Sequence, residues 1–187
     1  QVVGGGAFLG CPRLDTVVIN SASNISDNAF YYSSLTSVTL PGNLVEIGAY
    51  AFMYCENLKN INLPNGLVTI GRLAFARCKN LTAITIPDSV KVIQQETFSN
   101  AGLTGSVVIP NGVTNIYSAA FCFCRNLTNI TIPNSVRNIS GANVFSYCTN
   151  LTSVYFQGNA PTVNTSNNFV NSPKATVYYL PGTTGWN

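Results

Sequence analysis

Leu58-Lys59-Asn60-Ile61-Asn62-Leu63-Pro64-Asn65-Gly66-Leu67-Val68-Thr69-Ile70-Gly71-Arg72-Leu73-Ala74-Phe75 is the stretch from which the fold is legible. Its first six residues read Leu-x-x-Ile-x-Leu, apolar positions spaced for a short strand with one buried face. Pro64-Asn65-Gly66 then ends that strand, because proline donates nothing to a ladder and Asn-Gly accepts the dihedrals of a tight turn. Leu67 and Ile70 turn apolar side chains back inward, Gly71 can take a positive φ, and Ala74-Phe75 brings a small and a large residue to the far side. One such unit has an apolar face and nothing to bury it against.

Working outward, the turn proline recurs at Pro41, Pro64, Pro87, Pro110 and Pro133, a step of 23 residues. The phenylalanine recurs at Phe8, Phe30, Phe52, Phe75, Phe98, Phe121 and Phe145. Self-similarity at this period is the mark of a leucine-rich solenoid, in which each rung lends a strand to a parallel sheet and stacked neighbours bury a continuous core. The expected fold is therefore a leucine-rich repeat solenoid of about eight rungs, with turns and short helical or irregular segments on the far side. Strands are expected at 17–19, 38–40, 61–63, 84–86, 107–109, 130–132 and 154–156. An eighth is expected at 178–180, aligned on Pro181.

The unbroken repeat predicts one solenoid over residues 1–187, regular from 3 to 156 and degenerate from 157 to 187. At the start, Val3 aligns with Ile70 and Phe8 with Phe75, so the sequence opens inside a rung. Gln1 falls at the phase of Val68 and Asn187 at that of Ile70. A second copy placed after the first would nearly continue the register.

Leu-Pro-Asn-Gly-Leu-Val-Thr-Ile-Gly at 63–71, Ile-Pro-Asp-Ser-Val at 86–90, Ile-Pro-Asn-Ser-Val at 132–136 and the Ala-Phe pairs followed by Cys and Asn-Leu resemble the BspA-like leucine-rich repeat family. The resemblance implies a secreted or cell-surface protein that adheres or binds proteins. It carries no shared ligand site onto particular residues.

Charged residues make up 8% of the chain and the formal net charge is +3, with Lys and Arg scattered. No basic stripe for nucleic acid follows, and no polybasic membrane patch. No apolar run approaches the roughly 18 residues of a membrane span. Histidine is absent, which excludes a Ser-His-Asp or Cys-His system and removes the commonest transition-metal ligand. Asp15, Asp27, Glu46, Glu56, Asp88 and Glu96 fall at different phases of the repeat, so paired carboxylates are not expected to converge. No phosphate-binding loop or dinucleotide fingerprint follows a strand. The expectation is a non-enzymatic protein with no cofactor and no metal.

Cys11, Cys55, Cys78, Cys124 and Cys148 all sit three residues after the rung phenylalanine, where other rungs carry Ser33 and Ala101. That column wants a small residue. In-register thiols form a line, which opposes a tetrahedral zinc site, whereas a disulfide between Cys55 and Cys78 or between Cys124 and Cys148 stays open at this point. Cys122, outside the column, is the candidate exposed thiol.

Asn57, Asn80, Asn126 and Asn150 form another column, each just before the strand leucine, and suggest an amide ladder. Asn80, Asn126 and Asn150 also begin Asn-Leu-Thr, and Asn24, Asn129, Asn138 and Asn164 match the same acceptor pattern. The loop-like surroundings of Asn164 make it the candidate glycosylation site. On the outward face of the sheet, Val18, Thr39, Asn62, Thr85, Val108, Thr131, Tyr155 and Tyr179 form a stripe that becomes aromatic towards the C-terminus. Thr39, Asn62, Thr85, Thr131, Tyr155 and Tyr179 of that stripe, with Trp186, are the candidate binding face, and Tyr178 is expected to point inward by alternation. The partner is either a protein or matrix macromolecule, or further copies of the chain joined end to end.

Overall fold

The computed structural model describes residues 1–165 and 167–186. Among them are fifteen strands, β1 to β15 in chain order, and no helix. The expected strand column is present as β2 (Thr16–Val18), β4 (Ser37–Thr39), β6 (Asn60–Ile61), β9 (Gly105–Val108), β11 (Leu127–Ile132), β13 (Ser153–Phe156) and β15 (Thr176–Tyr179). A second column, seen in the sequence only as inward-turning apolar residues, is built from β1 (Val2–Val3), β3 (Asn24–Ile25), β5 (Glu46–Ile47), β7 (Thr69–Ile70), β8 (Val92–Ile93), β10 (Asn115–Tyr117), β12 (Asn138–Ser140) and β14 (Thr162–Val163). Every strand pairing is parallel and joins successive rungs, as Ile116 with Ile139 and Ile130 with Val154.

Each rung therefore has three sides: a first strand, a second strand after the proline turn, and an arc that carries Ala-Phe. The apolar columns face the space between them. Phe30, Phe52, Phe75, Phe98, Phe121 and Phe145 are fully buried. From Phe8 to Phe169 the rings form one near-parallel stack with centroids 5.1 to 5.8 Å apart. A spacing close to that between neighbouring strands lets every ring cover the next.

The arc is where the local sequence says least. Residues two before and two after the phenylalanine are left-handed, with φ between 55° and 65° at Tyr50, Tyr54, Leu73, Arg77, Glu96, Asn100, Ala119 and Phe123 among others. Glycine fills these positions only in the first rung, as Gly6 and Gly10. Tertiary hydrogen bonds offset the strain: Tyr50, Phe52 and Tyr54 donate their N–H groups to the carbonyls of Arg72, Ala74 and Ala76 in the next rung. Ala119→Gly should accordingly stabilise the protein by about 0.5–1 kcal/mol, as relief of left-handed strain outweighs the added freedom of the unfolded chain. Urea unfolding at equilibrium checks it, and unchanged or lowered stability would contradict it.

Gly71 is not one of the left-handed residues. Its role is close approach, for a Cβ there would collide with the backbone of Gly48 and Ala49 one rung back. Both sheets are interrupted at one level. The first divides between β6 and β9, where 84–86 makes no ladder, and the second divides between β7 and β8. A cleft of about 190 Å³ lies there between 60–63 and 83–85. The arc alone crosses this level with regular bonds, from Leu73, Phe75 and Arg77 N–H to the carbonyls of Gln95, Thr97 and Ser99.

Candidate functional site

The outward face of the first sheet carries two columns of side chains on two parallel ladders, separated where 84–86 makes none. One runs Thr16, Ser37, Asn60, Ser106, Asn129, Ser153, Thr176. The other runs Val18, Thr39, Thr131, Tyr155, Tyr178, with Val108 beside Thr131 and Asn62 and Thr85 at the matching phase. None is ionisable at neutral pH, so the face is coated in hydroxyl, amide and short apolar groups. Thr39, Asn62, Thr85 and Tyr155 are exposed and Thr131 is half-buried.

The aromatic end of that face differs from expectation by one residue. Tyr178 pairs with Tyr155, their rings stacked at 5.1 Å, and both lie on the outward side. Tyr179, expected outward, pairs with the inward Phe156 and stacks on Trp186 at 4.9 Å. The cause is Leu180. It adds a residue between the strand and Pro181, so an alignment on the proline misplaces the strand by one and turns its side chains over. Trp186 is likewise off the outward face: it meets Phe156 edge-on at 4.7 Å and packs against the core. The rim of the Tyr155 and Tyr178 pair opens into a shallow depression of about 240 Å³ bordered by Thr131, Gln157 and Leu180.

The six cysteines are all free thiols, so the open question of disulfides is closed in this structure. Cys55, Cys78, Cys124 and Cys148 are fully buried, and each Sγ donates a 3.1 Å bond to the carbonyl of the preceding rung's phenylalanine. Ser172 donates the same bond, 2.7 Å to the Phe145 carbonyl. The column thus takes a small side chain, and where that side chain is a cysteine of the inner rungs or Ser172 it also donates to the preceding rung, a role absent at Ala101. Cys122, expected to be the exposed thiol, is buried. Its phase, one residue after the phenylalanine, is an interior one in these rungs, as fully buried Ser146 and nearly buried Ala76 show. Cys11 is the thiol that retains partial access.

Burial raises the Cys55 and Cys122 thiols to about 11 and that of Cys148 to about 12, with the Cys78 and Cys124 thiols held high for the same reason. A thiol raised on folding contributes stability that is intact below its unfolded pKa and is lost as pH climbs through the folded one. The melting temperature should therefore fall between pH 9 and pH 11–12. In native protein at pH 8, maleimide should modify Cys11 well ahead of the other five, read by peptide mass mapping. Equal modification of all six would contradict the buried column.

Asn57, Asn80, Asn126 and Asn150 point outward and are exposed, because the leucine that follows each takes the interior place. No amide ladder joins them among the described residues; Asn150 instead accepts a 3.4 Å bond from Lys174. Inter-rung bonds come from threonines, as Thr128 and Thr152 to the carbonyls of Gly105 and Thr128. Asn164 is exposed in a bend. The third residue of its acceptor triplet, Ser166, and the expected phase of Asn187 lie outside the described residues. No group of three or more Cys, Asp or Glu among the described residues is placed to hold a metal ion, and no helix is long and apolar enough to cross a membrane. Glu46 accepts a 2.7 Å bond from the Asn24 amide.

The arc side holds a second concave feature that the sequence search passed over. Two residues after the phenylalanine stand Tyr32, Tyr54, Arg77, Asn100, Phe123 and Tyr147, an aromatic column broken in its middle. The break leaves a notch of about 320 Å³. Its signal was present in the periodic listing of that phase.

A three-sided, helix-free rung of about 23 residues with a phenylalanine stack is what the family comparison addresses. The BspA-type leucine-rich repeat model matches residues 1–104 and 69–184, in six copies. The chain belongs to that family. A similar fold occurs in the crystal structure of a Treponema pallidum leucine-rich repeat protein, with 35% identity and a TM-score of 0.69 over 75% of this chain and 72% of that one. A Bacteroides ovatus leucine-rich repeat protein is 27% identical with a TM-score of 0.68, covering 95% of this chain but 58% of its own length. A leucine-rich cell surface protein of Faecalibacterium prausnitzii, 23% identical with a TM-score of 0.50 over 81% of this chain and 62% of its own, shares the fold. No curated protein matches the chain. Family and fold give the broad class, a BspA-type leucine-rich repeat protein.

Proposed function

We propose that this BspA-type protein acts outside the cell as an adhesion module, taking a protein or matrix macromolecule onto the outward face of its first sheet. The observation that carries the proposal is that face itself: two uncharged columns ending in the stacked Tyr155 and Tyr178 pair. A face without charges suits a partner that is polar but weakly charged. Exposed tyrosines supply rigid contact area with a hydroxyl handle, and they dominate many binding surfaces. Five of six thiols are buried, which protects them in oxidising surroundings.

Tyr155→Ser combined with Tyr178→Ser should weaken adhesion to plates coated with purified matrix proteins by about tenfold or more, the scale of a hot-spot pair. Circular dichroism should stay unchanged. A double variant that adheres like the parent would end this reading.

A second reading, end-to-end association with further copies, is favoured by an apolar cavity of about 360 Å³ at the last described rung, lined by Phe156, Val163, Phe169, Val177 and Trp186. Phe169 is the last ring of the stack. Such a contact is heterologous and extends into filaments. Sedimentation at high micromolar concentration separates the two, since a purely monomeric protein leaves only the adhesion reading.

A further inference from the structure

Three of the fifteen charged side chains of the chain gather around the arc notch. Arg77 and Arg125 line it from one side of the aromatic break to the other, two rungs apart or about 10 Å, with Glu96 on the wall between them. Each guanidinium lies over a ring, Arg77 at 5.0 Å from the Tyr54 centroid and Arg125 at 5.7 Å from that of Phe123. Phe123 is in turn backed by Tyr147 at 4.3 Å. Stacking holds a guanidinium by its face and leaves its N–H edge to bind elsewhere. Among the described residues the one ion pair is Lys79 with Glu56, so neither arginine in the notch has a carboxylate partner, although Glu96 shares the same walls. The notch therefore presents two pre-oriented cation edges, one anionic acceptor and the Asn100 amide over an apolar floor that includes Leu73. At about 320 Å³ it sits at the small end of the volumes that hold small ligands.

We propose that this notch, between Tyr54 and Phe123 on the arc side, is a binding site for a carboxylated sugar. A carboxylate on the ligand satisfies a guanidinium edge in two parallel hydrogen bonds. Ring hydroxyl or acetamido protons satisfy Glu96, which a ligand bearing only acidic groups would leave opposed. Asn100 both gives and accepts, matching a neighbouring hydroxyl, and the C–H face of the sugar covers the apolar floor. The site is separate from the Tyr155 and Tyr178 face, so the two stand or fall independently.

The test uses the native chain with four probes by calorimetry and protein-observed NMR: sialyllactose, a hyaluronan tetrasaccharide, neutral lactose and a glutamate-rich peptide. The first two distinguish a terminal sialic acid from an internal uronic acid as the source of the carboxylate. At least one should bind, with shifts confined to the notch, while lactose and the peptide should not. Arg77→Asn, chosen because asparagine tolerates the left-handed φ of 61° at that position, and Arg125→Gln should each weaken binding by about tenfold or more, the loss of a charged hydrogen-bonded contact. Lys91→Ala, which removes an exposed cation that does not line the notch, should leave it unchanged. Failure of both acidic sugars to bind, equal binding of lactose or the peptide, or arginine variants that bind like the parent would each overturn the assignment.

Discussion

Phe75→Ala should lower the free energy of unfolding by about 3–5 kcal/mol, the usual cost of emptying a buried phenylalanine site. Phe75 is fully buried, and its ring lies between those of Phe52 at 5.4 Å and Phe98 at 5.8 Å. Removing it strips both neighbours of a stacking face and opens a gap midway along a stack whose rungs are held by their neighbours. For a chain of this size such a loss lowers the melting temperature by roughly 6–20 °C. Phe75→Leu, which refills most of the volume, should cost far less. Calorimetric melting of both variants checks the pair, and a Phe75→Ala protein that melts with the parent would show that the stack does not carry the core.

Gly102→Ala should be strongly damaging for a single added methyl, at about 3 kcal/mol, the upper part of the range for overpacking. Gly102 is buried and donates its N–H to the Cys78 carbonyl at 3.0 Å. A Cβ there would be driven into the carbonyl of Lys79, a backbone group without a side chain's freedom to move aside. Gly42→Ala is the control. A Cβ at Gly42 meets nothing within 4 Å and its φ is not left-handed, so its effect should fall within about 0.5 kcal/mol of zero. Equal unfolding midpoints in urea for the two variants would mean that the rungs part easily at Gly102.

The period, the phenylalanine stack and the small-residue column were legible because each depends on one side chain meeting its own copy in the next rung. Whatever depends on backbone geometry was not. Leu73, Glu96 and Phe123 have no intrinsic preference for a left-handed φ; the inter-rung bonds of the arc impose it, and only the asparagines at 28, 100, 143 and 171 hint at it. Gly71 was assigned a torsional role when its actual constraint is the backbone of the preceding rung. On the outward face of the first sheet, the columns from Thr39 to Tyr155 followed from alternation. Tyr179 was misplaced because Pro181 is a sound marker only if the strand before it has the standard length. Cys122 seemed exposed because it broke the cysteine column, but the arc offers a second interior phase. The notch was missed because an interruption in a column is a feature only once the rungs are stacked.

The shared interruption of both sheets also has a mechanical meaning. At the level between Thr69–Ile70 and Val92–Ile93, two of the three sides lack ladder bonds and the third keeps its own. The Ser89 hydroxyl, donating to the carbonyls of Asn65 and Leu67, ties the turn between the two sheets at that level. A three-sided beam whose ladders lapse on two sides at one level is more compliant there than where all three sides are bonded. Compliance in this chain is therefore localised at one plane and not spread evenly along its length. Because Arg77 and Asn100 stand on opposite sides of that plane, bending of the beam changes the width of the notch.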